Sequence, residues 1–204
     1  MDSDPARPIA LPEPDLAGQE TLERMIARRR SIREFAPGSM SVAELGQLLW
    51  AAQGVSDPSG LRTAPSAGAL YPLELYAIVG ASEDLKAGIY HYLPLRHGLE
   101  LVAPGDFRAE FAAAALRQEW TAQASLVLIV AAAVARSTVK YGARGRRYVA
   151  IEAGHAVQNV YLQAVSLGLG ATEVGAFGDN AVARLVGLPG GEEPITSVVV
   201  GRLA

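Results

Sequence analysis

The sequence predicts one mixed α+β domain, with helices and strands distributed along the whole chain. Helical patterns with a period near 3.6 residues alternate with short strand patterns of period two. A nearly unbroken apolar run at 124–135 has the length of a strand buried on both faces and is too short to cross a bilayer. The 204 residues, 50% of them hydrophobic, are enough to enclose a single core.

The composition narrows the class of function. The absence of cysteine excludes disulfides, thiolate metal sites and cysteine nucleophiles. The three histidines are too few and too scattered to indicate a metal site. A formal net charge of −3 gives no general reason to expect a nucleic-acid partner. Because no signal peptide and no apolar run of membrane-spanning length is evident, we expect a cytoplasmic protein with no membrane partner.

The N-terminal region consists of a proline-rich arm and two helical patterns. Residues 1–18 hold four of the twelve prolines, so we expect an extended or disordered arm in front of a single domain over 19–204. A helix whose apolar face is Leu22, Met25 and Ile26 is predicted to end within the arginine run at 28–30.

The remaining elements follow from caps, alternation and turn residues. Ser41 and Glu44 form a capping box for a second helix, which is predicted to stop at Gly54. Asp106 is a candidate cap for a helix reaching about Gln118. Further strands are predicted at 73–79, 88–93, 99–103, 171–174 and 196–200, and further helices at 148–167 and 179–187.

Arginines surround a hydroxyl residue at the end of the first helix. In Arg29-Arg30-Ser31-Ile32-Arg33, guanidinium groups and an O–H donor can converge on one phosphate. A solvated basic helix end is the alternative, since cations are common at helix C-termini.

The segment 64–72 is rich in small residues between two prolines. Its glycine and its serine allow the backbone to approach a flat ring or a phosphate closely. Any tight surface loop uses the same residues, so the segment alone does not decide between these interpretations.

The predicted long helix carries a polar stripe made by Glu152, His155 and Asn159, with Gln158 beside it. Its other faces are apolar and include Val157 and Ala164, which indicates a central helix. Polar groups on such a helix need partners. A structural network or a subunit contact is as consistent with this stripe as a catalytic His155.

A Lys-Tyr pair and a cationic loop precede that helix. Lys140 and Tyr141 are followed by Arg144, Arg146 and Arg147, with no acidic residue between 136 and 150. The positive potential favours loss of a proton from Lys140 or Tyr141, which suits proton abstraction. A solvated loop and a nucleic-acid patch are the alternatives, and the scarcity of stacking aromatics disfavours the second.

In order along the chain, these stretches resemble the FMN-dependent nitroreductase superfamily, most closely its SagB/ThcOx-type dehydrogenase branch. The resemblance covers nearly the whole chain from about residue 21 to residue 202. The motifs that carry it are RRSIREF at 29–35, PSAGALYP at 65–72, GIYHY at 88–92 with HGLE at 97–100, EAGHAVQN at 152–159 continuing to the glycines at 168 and 170, and VGAF at 174–177.

The resemblance implies a nitroreductase-like fold in which a central mixed sheet is flanked by helices. It also implies an obligate homodimer with FMN at the subunit interface. The helix at 150–167 is apolar around more of its surface than one core can cover, so we expect it to form most of the contact, with Val157 and Ala164 there. Arg29, Arg30, Ser31 and Arg33 would hold phosphate and ribityl. The loop Pro65, Ser66, Ala67, Gly68 and Ala69 would reach a flavin bound mainly by the other subunit, and Gly175 and Ala176 would lie near N5.

Lys140 and Tyr141 take the place of the proton-abstracting pair of azoline-oxidising members. The resemblance therefore implies dehydrogenation of a small-molecule or heterocycle-containing substrate. An NAD(P)H-dependent nitro or quinone reductase is the alternative, and a flavin-free binding protein is a second.

Many relatives end in a basic residue that contacts the FMN phosphate. Either Arg202 replaces it here, or the N-terminal arginines bind the phosphate alone.

Overall fold

The computed structural model describes residues 8–80, 82 and 84–204, so the first seven residues of the expected arm lie outside the described residues. Helices and strands are interspersed along the described chain. The strands are β1 Ile9–Ala10, β2 Phe35–Ala36, β3 Leu73–Val79, β4 Gly88–Leu93, β5 Gly98–Pro104, β6 Leu126–Ala132, β7 Leu169–Val174 and β8 Glu193–Leu203. The helices are α1 Leu22–Arg28, α2 Val42–Gln53, α3 Arg108–Ala114, α4 Ala135–Tyr141, α5 Arg144–Ser166 and α6 Asp179–Leu185.

The eight described strands form one sheet. Its order is β1-β5-β4-β3-β6-β8-β2, and β7 also pairs with β8. Each named pair is antiparallel, and a bridge between Ser31 and Ala171 adds a parallel contact. The predicted apolar strand is the centre of this sheet, since every residue of β6 is buried.

Helices cover both faces of the sheet, as the sequence predicts. On one face, α2 and α5 pack against strand residues such as Leu75 and Leu128. On the other, Phe111 of α3 and Val182 of α6 pack against Ile129. Each such side chain contributes about 1.5–3 kcal/mol by leaving water. Among the described residues, no helix is both long enough and apolar enough to cross a membrane.

Two predicted elements differ from the structure. The helix expected from Asp106 to about Gln118 is only α3, and Phe107 rather than Asp106 is its N-cap. The Asp106 carboxylate accepts a 3.2 Å hydrogen bond from the Arg108 amide in the first turn of α3, beside its 2.6 Å ion pair with the Arg108 guanidinium. The helix ends early because Leu116 and Arg117 have φ angles of 56° and 61°, which are not helical. The predicted cationic loop is mostly helical. Its lysine lies in the last turn of α4 and its arginines lie in the first turn of α5, so only Gly142 and Ala143 connect the two helices.

The described part of the N-terminal arm follows the surface of the domain. β1 pairs with the start of β5, and the Asp15 amide donates to Gln47 of α2 at 2.8 Å. His97, in the β4–β5 turn, contacts the Pro12 carbonyl oxygen through Nε2 at 2.9 Å.

Two expectations about apolar faces are corrected. The predicted buried face of α1 is open, since Leu22 is 54% and Ile26 55% exposed. Val157 and Ala164, expected at a dimer contact, are buried in the core of their own chain. The exposed surface of α5 instead carries Ile151, with its flanking exposed positions at 154, 155 and 158. A helix packed against one sheet directs its small and branched residues inward, so a count of apolar positions could not identify the outer face.

Candidate functional site

A tight turn at 66–71 forms one wall of the candidate site. Gly68, Ala69 and Tyr71 have φ angles of 66°, 53° and 44°. Positive φ is unfavourable for residues with a Cβ and persists only where surrounding contacts impose it. The Ser66 hydroxyl supplies one such contact by accepting a 2.9 Å hydrogen bond from the Tyr71 amide.

The turn lies directly against the predicted Lys-Tyr pair. A Cβ placed on Gly68 would be 2.6 Å from Tyr141 Oη and 2.7 Å from Lys140 Nζ. Only glycine fits this approach, because it combines positive φ with the lack of a side chain. The polar ends of Lys140 and Tyr141 therefore lie against the backbone of Gly68, about 70 residues earlier in the sequence.

Lys140 and Tyr141 end the short helix α4. Lys140 Nζ lies 5.4 Å from the centre of the Tyr141 ring, and Tyr141 contacts Tyr148 edge to face with ring centres 5.0 Å apart. Gly142, at φ 58°, ends the helix, and Gly145 follows it. A Cβ on Gly145 would be 2.8 Å from the backbone of 137–138, so α4 and α5 meet at backbone contact.

Glu152 of α5 is hydrogen-bonded to the turn. This side chain is 2% exposed, and its Oε2 accepts a 2.6 Å hydrogen bond from the Ser66 hydroxyl. Its Oε1 is buried and has no hydrogen-bond partner among the described residues. Burial raises the pKa of the Glu152 carboxyl to about 7, against the weaker opposing effects of Ser66 and of the Arg62 charge.

A polar network continues from the turn to the sheet. The Arg62 guanidinium lies 4.7 Å over the Tyr71 ring and donates to Gln53 at 2.9 Å. Arg136 donates to the Tyr71 carbonyl at 3.0 Å and pairs with Glu74 at 2.6 Å. These contacts fix both sides of Tyr71, which explains how its positive φ is maintained.

The predicted phosphate-binding residues form a second group. Ser31 Oγ lies 3.4 Å from Tyr161 Oη, and the Arg29 guanidinium lies 5.2 Å over the Tyr161 ring. Arg30 donates to the Ala27 and Arg29 carbonyls, and Arg33 is exposed. The group borders a small cavity lined in part by Arg30, Ile32 and Tyr161.

Gly175 and Ala176 follow β7 directly and are both exposed. No heavy atom lies within 4 Å of a Cβ built on Gly175, so the space beside its backbone is open. The Ala176 carbonyl accepts a 3.2 Å hydrogen bond from the Gln118 side-chain amide, which joins this turn to the segment after α3.

Arg202 is engaged elsewhere. Its three guanidinium nitrogens bond to the Glu44 carboxylate at 2.7 and 2.8 Å and to the Ser39 carbonyl at 2.9 and 3.1 Å. The Arg202 guanidinium lowers the pKa of Glu44 against the opposing effect of burial. The arginine thus ties the last strand to the capping box of α2.

The helix α5 separates the two groups of predicted residues. Glu152 belongs to the first group and Tyr161 to the second, and the two residues are nine positions apart in the sequence. That spacing is about 13.5 Å along the axis and about two and a half turns, so the two side chains leave the helix on opposite sides. Within one chain, the turn with Lys140 and Tyr141 therefore does not meet the arginine segment.

The sequence reasoning missed Tyr161. Its hydroxyl accepts from the Glu173 amide at 2.6 Å and reaches Ser31, so it joins α5, β7 and the arginine segment. A tyrosine on an apolar helix needs a hydroxyl partner, and that rule was a usable signal. In the polar stripe, Asn159 donates to the Ala51 carbonyl at 3.0 Å, whereas His155 is exposed.

Comparisons with known proteins agree on one family. The profile described as the nitroreductase family matches residues 26–202. The chain is 45% identical over 181 residues to the nitroreductase-family protein MJ1384 of Methanocaldococcus jannaschii, covering 89% of this chain and 90% of that protein. It is 30% identical over 155 residues to the microcin B17-processing protein McbC of Escherichia coli, covering 73% of this chain and 57% of McbC.

Solved structures show the same fold. A nitroreductase-family protein from Ralstonia eutropha superposes with a TM-score of 0.86 at 33% identity, covering all of this chain and 92% of that one. A chain of the E. coli microcin synthetase McbBCD complex, with truncated pro-MccB17 bound, gives 0.75 at 25% identity and covers 96% of this chain and 78% of that one. The chain described here belongs to the nitroreductase family of oxidoreductases.

Proposed function

We propose that this chain is an FMN-dependent dehydrogenase of the SagB/ThcOx type, acting on a small-molecule or heterocycle-containing substrate. The observation that carries the proposal is the contact of Gly68 with Lys140 and Tyr141, because it joins the predicted flavin loop to a proton acceptor. The similarity to McbC supports the branch.

The chemistry of the exposed groups fits FMN. The arginine segment offers guanidinium groups and the Ser31 hydroxyl beside a cavity, which suits a phosphate dianion. The open backbone at Gly175 and Ala176 suits the edge of a flat ring. Since all three guanidinium nitrogens of Arg202 are bonded to Glu44 or Ser39, we assign the phosphate to Arg29, Arg30 and Arg33. FMN, when bound, accepts a hydride at N5.

The chain itself supplies a candidate base. Lys140 Nζ and Tyr141 Oη lie on the same side of the turn and can each take a proton from substrate carbon. Tyr148 backs the Tyr141 ring, which holds its hydroxyl toward Gly68. The cations of α5 add positive potential, although Arg146 is paired with Glu193 at 2.5 Å.

An absorption spectrum tests the cofactor directly. Purified protein should be yellow, with a flavin spectrum and bound FMN released on denaturation. A colourless protein that takes up no FMN after dialysis against it would overturn the cofactor and, with it, the dehydrogenase.

A stand-alone NAD(P)H-dependent nitro or quinone reductase is the second candidate, favoured by the 45% identity to the M. jannaschii protein. It needs no protein base, because water can protonate its product. Stopped-flow reduction by NADH or NADPH separates the two. Rapid flavin reduction that is unchanged in Lys140→Ala and Tyr141→Phe would favour the reductase and leave the pair with a structural role.

A homodimer completes this proposal. The turn and the arginine segment lie on opposite sides of α5, so a second chain is needed to bring one of each together. Exposed apolar side chains at Leu22 and Ile26 of α1 and at Ile151 of α5 offer the contact.

We expect Ile151→Glu to weaken the dimer and to lower flavin content with it, because a charge would be buried at the contact. Sedimentation velocity measures the dimer. Leu95→Glu, at a side chain 80% exposed in the β4–β5 turn, is the control and should stay dimeric. A wild-type protein that is monomeric at micromolar concentration would contradict the expectation.

A further inference from the structure

Glu152 is a buried carboxyl that the proposed dehydrogenation does not use, although it touches the turn that carries Gly68. Among the described residues it forms no salt bridge, and its Oε1 has no partner. Removing an acid of this kind from water is costly unless it is paired. A residue kept at that cost, in contact with the turn beside the proton acceptors, calls for a role.

Ser66 couples Glu152 to the strained backbone. Its hydroxyl has one hydrogen and two lone pairs. One lone pair accepts from the Tyr71 amide at 2.9 Å, and the hydrogen goes to Glu152 at 2.6 Å. That length falls in the range of an O–H donated to a charged carboxylate.

The direction of this hydrogen bond depends on the proton of Glu152. An ionised Glu152 accepts from Ser66, and a hydroxyl that donates strongly becomes a better acceptor for the Tyr71 amide. A protonated Glu152 can donate to Ser66, whose oxygen then accepts two hydrogen bonds and holds the Tyr71 amide less tightly. Tyr71 has φ 44°, so a weaker bond lets this turn relax.

We propose that Glu152 is a positioning residue, which through Ser66 and the Tyr71 amide tightens the 66–71 turn when ionised and loosens it when protonated. The turn places Gly68 against Lys140 Nζ and Tyr141 Oη, so its tightness sets the geometry of the proton acceptors. The catalytic consequence rests on the proposed dehydrogenase function, whereas the coupling between Glu152 and the turn does not.

Burial raises the pKa of the Glu152 carboxyl to about 7, so the change falls within the neutral range. The nearest charge acting on it is that of Arg62, which opposes the rise. The other charged and titratable groups on the surrounding elements are Lys140 and Tyr141 of α4, Tyr148 of α5, and Glu74 with Arg136 beyond Arg62.

Hydrogen exchange of the Tyr71 amide in protein as isolated tests the coupling without activity. Glu152→Gln is the central variant, because its amide can donate to Ser66 as the protonated acid does but cannot ionise. We expect wild type and Glu152→Gln to exchange alike near pH 5. Near pH 8, the wild-type amide should exchange roughly two- to fivefold more slowly, because the ionised Glu152 polarises the Ser66 hydroxyl that accepts from this amide.

Two further variants keep the test decisive. Glu110→Gln, an exposed helix position on α3, is the matched control and should behave as wild type. Ser66→Ala removes the connecting hydroxyl, so the pH-dependent difference should vanish even though Glu152 is present. Equal exchange in wild type and Glu152→Gln at both pH values would overturn the proposal, as would a difference that survives Ser66→Ala.

The pH dependence of kcat tests the catalytic consequence. We expect the wild-type kcat to rise with pH through about pH 7, and this rise to be absent in Glu152→Gln, with flavin content unchanged. Lys140→Met should retain that rise at a lower rate. If the rising limb of the pH–rate profile persists in Glu152→Gln, the positioning role is wrong. If the protein shows the exchange effect but binds no flavin and has no turnover, the proposed dehydrogenase function is wrong and the coupling between Glu152 and the turn still holds.

Discussion

In its first half, α5 carries Glu152 at 2% exposure, which supports a strained turn through Ser66. In its second half, the same helix carries Tyr161, which supports an exposed segment of arginines through Ser31. The first group combines one buried acid with a conformationally strained turn, and the second is open and cationic. Strain and a buried acid are features of sites that move protons. Open guanidinium groups are features of sites that bind an anion. In the proposed function, the difference corresponds to chemistry on one side of α5 and binding on the other.

The sharpest way to break this division is to remove the proton acceptors. We expect Lys140→Met or Tyr141→Phe, whichever is the base, to lower dehydrogenase turnover about 10²–10⁴-fold, the usual contribution of a general base. Bound flavin, read from its visible absorption, should be unchanged. Lys86→Met is the control, because Lys86 is an exposed lysine just before β4 and outside the candidate site. Loss of flavin from Lys140→Met would assign that lysine to binding instead.

A stability measurement tests the buried acid next. Because the Glu152 pKa rises from 4.5 to about 7 on folding, the folded chain holds one extra proton between those values. Its stability therefore falls as pH increases across that window and stays lower above it, whereas below about pH 4.5 both states are protonated and the effect disappears. We expect Glu152→Gln to be more stable than wild type by roughly 2–3 kcal/mol near pH 8 and nearly equal to it near pH 4.

Urea unfolding at the two pH values measures this difference, with Glu110→Gln again as the control. A pH-independent difference would mean that the glutamate does not titrate on folding.

The binding side should show the smaller effect per residue. Loss of one guanidinium, as in Arg29→Ala or Arg33→Ala, should weaken FMN affinity about tenfold to a hundredfold, as expected for one charge-assisted hydrogen bond. Arg24→Ala is the control, since Arg24 lies on α1 with only a 3.9 Å contact to Glu20. Flavin titration gives the affinity. If Arg202→Ala loses more FMN affinity than Arg29→Ala does, Arg202 rather than the arginine segment binds the phosphate.

Much of the fold was predictable because local rules determine it. The Ser41–Glu44 capping box and the β4–β5 turn are set by neighbouring residues and formed as predicted. The extent of α3 was not, because Leu116 and Arg117 have positive φ angles that end the helix, and the spacing of apolar residues does not reveal them.

The site was predictable in its parts rather than in its assembly. Family resemblance pointed to the turn and to the Lys-Tyr pair, but only the folded chain brings Gly68 to them. The polar stripe indicated that Glu152 needs a partner, yet Ser66 is 86 residues away in sequence and no local rule pairs them. Tyr161 was missed because its partners lie on two other elements.

The backbone contact at Gly145 has a consequence for how such enzymes diversify. α4 carries Lys140 and Tyr141 on seven residues and lies against α5 at that glycine, with Gly142 as its pivot. The arginine segment and the turn after β7 belong to other elements. In the proposed function, variation confined to 137–141 would therefore exchange the proton acceptors, while Arg136 continues to hold the Tyr71 carbonyl and the proposed FMN-binding segments are unchanged. A combinatorial library restricted to those five positions, with both glycines fixed, is the economical starting point for redirecting the reaction.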